Sequence, residues 1–180
     1  MEKKYKISVI TPCFNEGLEV KNCYLAVKKI FDTDLIKYDL EHIFCDNSST
    51  DDTIDHLKAI AASDPSVKLI LNSRNFGILA NTYNGVMASD GDAVIMFMPV
   101  DLQDPPELIP NFVKYWEEGY EIIYGIRQER QEKFFLRNFR HLCYRLISIF
   151  SYIDYPPDVG DFQLVDKMII NHMRKLEDNR

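Results

Sequence analysis

The stretch Ile7-Ser8-Val9-Ile10-Thr11-Pro12-Cys13-Phe14-Asn15-Glu16 decides the fold, because in it a short apolar run passes directly into a polar turn. The run from Ile7 to Thr11 is rich in β-branched residues and predicts a buried strand. Runs that are apolar on both faces, separated by helical patterns, indicate a mostly parallel sheet with helices on both faces. The sequence therefore predicts a Rossmann-like α/β fold. The other predicted strands are Leu40 to Cys45, Val67 to Leu71, Ala93 to Met98 and Glu121 to Tyr124.

The helices between these strands have recognisable ends. Ser49-Thr50-Asp51-Asp52 places a hydroxyl three residues before a carboxylate, as in a capping box. Pro105-Pro106-Glu107 is typical of a helix start, and we expect that helix to run to about Glu118, with Gly119 as its stop. Further helices are predicted from about Phe134 to Phe150, before a turn at residues 154–158, and from Lys167 to Leu176.

Size and charge limit the class of function. A chain of 180 residues with 46% hydrophobic content predicts one globular domain. The net charge of −7 argues against general nucleic-acid binding, which needs clustered Lys and Arg. Apolar runs such as Ala93 to Met98 are far shorter than the roughly 20 residues of a membrane-spanning helix. The first residues also lack the apolar region and cleavage site of a signal peptide. We therefore expect a cytoplasmic domain without a membrane span.

The cysteines and histidines predict no metal centre. Neither group has metal-ligand spacing, and each cysteine lies among apolar residues, which favours reduced core thiols and the cytosol. The histidines fall in unrelated predicted elements, which disfavours acid–base roles. These residues are Cys13, Cys23, Cys45 and Cys143, and His42, His56, His141 and His172.

Polar residues directly follow three of the predicted strands. They are Pro12-Cys13-Phe14-Asn15-Glu16, Asp46-Asn47-Ser48-Ser49 and Asp101-Leu102-Gln103-Asp104. Ligands bind beyond the carboxyl ends of strands in open parallel sheets, so we expect the three segments to converge. Taken singly, Asn15 and Asp46 are equally explained as turn or cap residues. Together, the segments can bind a ribose or base and a divalent cation carried by a diphosphate, which predicts a nucleoside-diphosphate site.

These motifs resemble those of inverting family-two glycosyltransferases, in particular the branch that transfers sugars to polyisoprenyl phosphates. That branch includes dolichol-phosphate mannose synthases and bactoprenol glucosyltransferases. The resemblance covers nearly the whole chain and implies a GT-A fold. It also implies transfer of a sugar, with inversion, from a nucleoside-diphosphate sugar, UDP-linked, to a polyprenyl phosphate in cell-envelope polysaccharide biosynthesis. The matching segments are residues 9–16, 45–51, 75–85, 101–107 and 160–164, and the proline-flanked 101–107 segment is the most specific.

The resemblance also implies roles for individual residues. Asp101 and Gln103 would hold Mg²⁺ or Mn²⁺, and the cation would neutralise charge as the nucleoside diphosphate leaves, which makes Asp101 a catalytic candidate. Asp46 would hydrogen-bond the base. The residues expected to bind the nucleotide are Thr11, Pro12, Phe14, Asn15, Glu16, Asp46, Ser48, Asn75 and Asn81.

The chain departs from the family pattern at Pro99. The family usually carries Asp-x-Asp here, whereas this chain reads Pro99-Val100-Asp101, so one of two expected carboxylates is absent. Mg²⁺ commonly uses only one or two protein carboxylates besides phosphates and water. We therefore expect proline at position 99 to weaken metal binding without abolishing the need for a metal. The substitution also prompts a different hypothesis, a domain that binds nucleotide without catalysis.

Arg127, directly after the fifth strand, is the second catalytic candidate. By the resemblance, Arg127 and Arg130 would grip phosphate, which the planar guanidinium suits; the alternative is ordinary solvated loop charge. A lipid phosphate, with a second pKa of about 6, is already a nucleophile at neutral pH and needs no general base. If the acceptor were a saccharide hydroxyl instead, a base would be required, and Asp161 would be the candidate.

A basic segment runs against the acidic balance of the chain. From Arg127 to Arg145, six basic and two acidic residues leave a local charge of about +4. The spacing of Arg130, Lys133, Arg137 and Arg140 puts them on one helical face, which suits an anionic membrane surface; a solvated face packed on the core explains the spacing equally. With the resemblance, this predicts a peripheral protein at the cytoplasmic leaflet. We expect a truncated catalytic domain, residues 1–180, before membrane segments.

Overall fold

The computed structural model describes residues 4–126 and 159–176. Contacts divide the chain into two units, one of Met1–Ile123 with Asp161–Arg180 and the other Tyr124–Gly160. The candidate site described below lies in the first unit. Within the described ranges, no helix combines the length and the hydropathy that crossing a bilayer requires.

A six-stranded sheet forms the centre of the described part of the chain. Its strands are β1 (Lys6–Cys13), β2 (Asp39–Asp46), β3 (Val67–Leu71), β4 (Ala93–Ile95), β5 (Ile122–Ile126) and β6 (Val159–Asp166). They lie in the order β3-β2-β1-β4-β6-β5. β1 pairs in parallel with β2 and β4, and β2 with β3, whereas β6 runs antiparallel to β4. The predicted mostly parallel sheet is confirmed.

Helices cover both faces of this sheet, as predicted. They are α1 (Glu19–Thr33), α2 (Thr53–Ser63), α3 (Ile78–Ala88), α4 (Ile109–Glu117) and α5 (Lys167–Lys175). Alternate residues of β1 enter two separate cores, since successive strand side chains point to opposite faces. Val9 packs in a core with residues of α1, α2 and α4, whereas Ile10 packs with Val86 of α3 and Ile170 of α5.

The predicted ends of α4 and α5 are confirmed. A 3₁₀ turn at Pro106–Leu108 leads into α4, and Gly119 follows with φ +98°, a left-handed conformation that favours glycine. α5 occupies the range predicted for the last helix, apart from Leu176. The predicted helix from Phe134 to Phe150 and the turn at 154–158 lie outside the described residues.

Several predicted element ends are wrong. β1 ends at Cys13 instead of Thr11, and β5 at Ile126 instead of Tyr124. The predicted capping box does not form, because the Ser49 hydroxyl donates to the Asp46 carboxylate and α2 begins only at Thr53. β4 ends at Ile95 instead of Met98. Beyond Ile95, the Met96 N–H donates to the Gln163 carbonyl on one side, and the Met98 N–H donates to the Ile10 carbonyl on the other. The chain therefore keeps single bonds to both neighbours without a regular ladder.

The cysteines within the described ranges are core thiols, as predicted. Cys13, Cys23 and Cys45 are buried and unpaired. Burial raises the pKa of Cys23 and of Cys45 to about 12, so both thiols are neutral at physiological pH. Burial also lowers the pKa of the His42 imidazole to about 3, which keeps it neutral. Cys143 and His141 lie outside the described residues.

Candidate functional site

The polar segments that follow β1, β2 and β4 meet at one edge of the sheet. Cys13, the last residue of β1, is level with Asp46, the last of β2. The ladder continues one step further, since the Asn47 N–H donates to the Cys13 carbonyl at 2.9 Å and the Asn72 N–H donates to the Asp46 carbonyl at 2.9 Å. The bond from Met98 to Ile10 keeps the segment after β4 beside β1. The predicted convergence of the three turns is observed.

Each of these three turns contains a non-glycine residue in the left-handed region. Their φ angles are 55° at Asn15, 68° at Ser48 and 55° at Leu102, and the described ranges hold no other non-glycine residue with positive φ. Such a conformation is unfavourable by about 1–3 kcal/mol and persists only where the surroundings enforce it. Residues of this kind cluster at binding and catalytic sites.

Hydrogen bonds lock the turns after β1 and β2 together. The buried Asp46 carboxylate accepts bonds from the Ser49 hydroxyl and from the Ser49 N–H, the latter at 2.9 Å. The Ser49 hydroxyl in turn accepts from the Asn15 backbone N–H at 2.9 Å, and the Asn15 side-chain Oδ1 accepts from the Thr50 N–H at 2.8 Å. Asn15 and Asp46 thus stabilise their own turns, as the alternative interpretation of these residues proposed. The predicted binding of nucleotide by Asn15 and Asp46 would be a second role besides this structural one.

Four asparagines hold the turn between β3 and α3 against the ends of β1 and β2. The Asn47 amide donates to Asn75 at 2.9 Å and accepts from the Phe76 N–H at 2.9 Å. The Asn81 amide donates to the Cys45 carbonyl at 2.7 Å and accepts from the Asn72 amide at 2.8 Å. Asn75 and Asn81 were predicted to bind nucleotide, and in the structure their side-chain amides also hold this turn in place.

A pocket opens where these turns meet. Four predicted residues line it, namely Pro12, Phe14, Glu16 and Asn81, and the sequence interpretation missed Cys13, Asn47 and Ile78. Asn47 could have been found, because it follows Asp46 in the same polar segment. Ile78 could not, since its apolar side chain suggests the core.

The other five predicted nucleotide-binding residues do not line this pocket: Asn15 and Asp46, which lock the turns as described above, and Thr11, Ser48 and Asn75. Thr11 is fully buried, and its hydroxyl pairs with His42 at 2.9 Å, so the prediction of a side-chain contact with nucleotide is corrected. Thr11 lies within β1, where its side chain faces the core. Ser48 is half-buried at the strained turn, and Asn75 is exposed.

Acidic side chains from two turns influence each other. Burial raises the pKa of the Glu16 carboxyl, and the negative charge of Asp101 raises it further. The Gln103 amide donates to the Asp101 carboxylate at 2.6 Å, and both side chains are exposed. No group of three or more His, Cys, Asp or Glu side chains within residues 4–126 and 159–176 could hold a metal ion alone.

The remaining predicted residues divide into two groups. Pro99 begins the turn that carries Asp101, since its carbonyl accepts from the Leu102 N–H at 3.2 Å. Asp161 is exposed on β6, three residues before Leu164, which pairs with Ile95 of β4. Because β6 is antiparallel to β4, Asp161 lies toward the edge that carries the turns. Arg127 and the basic face of Arg130, Lys133, Arg137 and Arg140 lie outside the described residues.

Comparison with known proteins gives a family and a fold. The family model for glycosyl transferase family 2 matches residues 8–174. The uncharacterized glycosyltransferase YkcC of Bacillus subtilis is 36% identical over 179 residues, which are 99% of this chain and 54% of that protein. The bactoprenol glucosyl transferase of Shigella phage SfV is 33% identical over 172 residues, 95% of this chain and 55% of that protein. The chain thus spans about half the length of these relatives.

Two solved structures resemble the chain in fold. Glucosyl-3-phosphoglycerate synthase from Mycobacterium tuberculosis, in complex with UDP, superposes with a TM-score of 0.64 at 21% identity over 92% of this chain and 58% of that one. The mannosyltransferase PcManGT from Pyrobaculum calidifontis, in complex with GDP-Man and Mn²⁺, gives a TM-score of 0.62 at 17% identity over 96% and 47%. At these identities the likeness concerns the fold.

Proposed function

We propose, from the premise that the chain belongs to glycosyl transferase family 2 and has the GT-A fold, that it transfers a sugar with inversion to a polyprenyl phosphate. The donor would be a nucleoside-diphosphate sugar, UDP-linked, and the product would enter cell-envelope polysaccharide biosynthesis. The observation that carries this proposal is the convergence of three polar turns, each with a residue at positive φ, at the carboxyl edge of the sheet, where the turns after β1 and β2 line a pocket.

The names of relatives support the lipid acceptor. Several proteins called bactoprenol glucosyl transferase are about 33% identical to this chain, and bactoprenol is a polyprenyl lipid. In the proposed step, an acceptor phosphate oxygen attacks the anomeric carbon, and the bond from that carbon to the donor diphosphate breaks. The nucleoside diphosphate leaves with the bonding electrons. Because the acceptor phosphate is already ionised, the step needs no general base.

The residues on the turns fit a donor with its cation. Pro12, Glu16 and Asn81 line the pocket that would hold the nucleoside. Asp101 and Gln103 supply hard oxygen ligands, which suit Mg²⁺ or Mn²⁺ when phosphates and water complete the shell. A bound cation would neutralise charge on the departing diphosphate. Two structural neighbours contain Mn²⁺ with a nucleotide or nucleotide sugar, which supports the same choice here.

Three parts of the proposal rest on the sequence. Arg127 would bind phosphate near the reacting centre. Peripheral contact with the anionic cytoplasmic leaflet would bring the enzyme to its acceptor. Asp161 becomes a general-base candidate only if the acceptor is a saccharide hydroxyl, and its exposed position toward the edge with the turns fits that second possibility.

The test separates donor binding from transfer. UDP and GDP are titrated calorimetrically with Mg²⁺, with Mn²⁺ and with chelator, using the original chain and Asp101→Asn. We expect UDP to bind more tightly with metal, and Asp101→Asn to lose that gain while the fold survives, because the residue lies in an exposed turn. Equal binding with metal and with chelator would refute the metal role.

Transfer is then measured with a panel of nucleotide sugars, with and without short-chain polyprenyl phosphate. We expect product only when the lipid phosphate is present. Transfer to a saccharide without the lipid would favour the second acceptor class. Nucleotide binding with no transfer to any acceptor would favour a non-catalytic domain.

A further inference from the structure

Four large exposed side chains lie beside the pocket, and we call them the apolar patch: Phe76, Ile78, Leu79 and Tyr83. We propose that this patch docks on the surface of an anionic phospholipid bilayer. The inference rests on the proposed function, since a polyprenyl phosphate acceptor would be held in such a bilayer.

The patch begins at the rim of the pocket. Ile78 lines the pocket, and Leu79, the next residue, is 80% exposed. Tyr83 follows Leu79 by four residues and so lies on the same face of α3. Phe76 stands in the turn directly before the helix. A surface that contacts the patch would therefore also lie at the pocket entrance.

The packing of α3 fixes this face outward. The side of the helix that faces the sheet carries the buried residues Asn81, Gly85 and Val86, one polar and two small. The large apolar side chains of the helix lie on its exposed side. A Cβ atom at Gly85 would come within 2.5 Å of the Cys45 sulfur and of an Ile10 methyl group. The Asn81 amide is also bonded to the Cys45 carbonyl. Because the helix sits so close to the sheet, it cannot rotate to bury the apolar patch.

One basic side chain, Arg74, accompanies the apolar patch, while the acidic Glu16 lies in the pocket that Ile78 also lines. The whole chain has 28 acidic residues, yet residues 72–89 contain none, and Arg74 is their one charged residue. The Arg74 guanidinium lies over the Phe76 ring, 4.6 Å from its centroid. An arginine beside exposed apolar side chains can reach lipid phosphates while those side chains enter the interface.

A second copy of the chain is a weaker candidate for this surface. Stable protein interfaces use about 20–30 residues on each side. The apolar patch offers four large side chains on one turn and the start of one helix. A bilayer needs no such matched surface, because each apolar side chain can insert separately.

The experiment compares Leu79→Glu with Ile36→Glu. Ile36 is also an exposed aliphatic residue, 66% accessible, but it precedes β2 at the opposite edge of the sheet. Glutamate at position 79 falls in the first turn of α3, where the helix dipole favours it, so the variant should fold. Thermal denaturation checks this for both variants.

Sedimentation with vesicles of phosphatidylcholine and phosphatidylglycerol gives the main result. We expect Leu79→Glu to lower vesicle affinity about tenfold, since a leucine leaves the interface, and Ile36→Glu to leave it unchanged. Leu79→Trp should show a blue-shifted emission with vesicles, whereas Ile36→Trp should not; the chain has one native tryptophan as the common background. The inference is overturned if the original chain does not sediment, or if both glutamate variants behave alike.

Measuring UDP binding by the same variants distinguishes failure of the docking surface from failure of the proposed transferase function. Leu79 does not line the pocket, so Leu79→Glu should bind UDP with Mg²⁺ as the original chain does, while transfer to vesicle-embedded polyprenyl phosphate falls. If UDP binds but Leu79→Glu sediments normally, the docking surface is refuted and the proposed function stands. If vesicle binding depends on Leu79 but no nucleotide binds, the proposed function fails on its own.

Discussion

Asn47 is the residue that connects the β3–α3 turn to the sheet edge. Its side-chain amide donates to Asn75 and accepts from the Phe76 N–H; removing it leaves the Phe76 N–H without that partner, while Asn75 keeps its bond from the Gly77 N–H. We expect Asn47→Ala to lower the free energy of unfolding by about 1–3 kcal/mol and to weaken UDP binding, measured by urea denaturation and calorimetry. Asn84→Ala is the matched control, because the Asn84 amide makes a 3.4 Å bond at the surface. Equal effects of the two variants would contradict a positioning role for Asn47.

Single residues show how far a sequence interpretation can reach. Pro12 and Glu16 line the pocket as predicted, because residues at and directly after the carboxyl end of a strand in a parallel sheet lie at the edge where ligands bind. Thr11 was predicted to bind nucleotide, but it lies inside β1. The alternation of side chains along the strand points its hydroxyl into the core, beside His42. Ile78 was missed because an apolar residue gives no signal of a binding role. Its exposure follows from tertiary packing of α3 on the sheet, which the local sequence does not specify.

At the scale of elements, α3 depends on close approach to the sheet. We expect Gly85→Ala to destabilise the fold by about 1–3 kcal/mol, although alanine favours a helix, because the new methyl group would overlap the Cys45 sulfur and Ile10. Adding Cys45→Ala should recover part of the loss, since it removes one of the two overlaps. Urea denaturation of both single variants and the double variant measures the coupling. If Gly85→Ala alone is neutral or stabilising, α3 is not held as tightly as described.

The elements themselves were predictable where hydrophobic patterns are strong. β3 was predicted to the residue, and the C-terminal ends of α4 and α5 to within one residue, because their proline, glycine and strand signals agree; the predicted start of α4 forms a 3₁₀ turn before the helix. The start of α2 was wrong, since the Asp46 carboxylate competes for the Ser49 hydroxyl. Local capping rules do not include such a partner from a neighbouring strand end. β4 is shorter than predicted, since beyond Ile95 only single backbone bonds reach β1 and β6, and a local pattern does not show where regular pairing stops.

At the scale of the whole molecule, charge is unevenly distributed along the chain. The net charge is −7, while Arg127 to Arg145 carry about +4, so the remaining residues carry −11. An anionic membrane would repel most of the chain and attract this segment. The segment's placement lies outside the described residues, so its role stays a prediction from sequence. Attraction of this segment to an anionic membrane should depend on salt concentration, whereas insertion of the apolar patch should not.

Salt should weaken membrane binding through the basic face but not through the apolar patch. Attraction between basic residues and anionic lipid is screened as ionic strength rises, whereas insertion of apolar side chains is not. We expect Arg137→Glu with Arg140→Glu to reduce sedimentation with anionic vesicles strongly at low salt and little at high salt, since each Lys or Arg contributes about 1 kcal/mol near such a surface. Leu79→Glu should reduce it at both salt concentrations. If the double charge reversal leaves sedimentation unchanged at low salt, the basic face is ordinary solvated surface, and membrane contact then depends on the apolar patch alone.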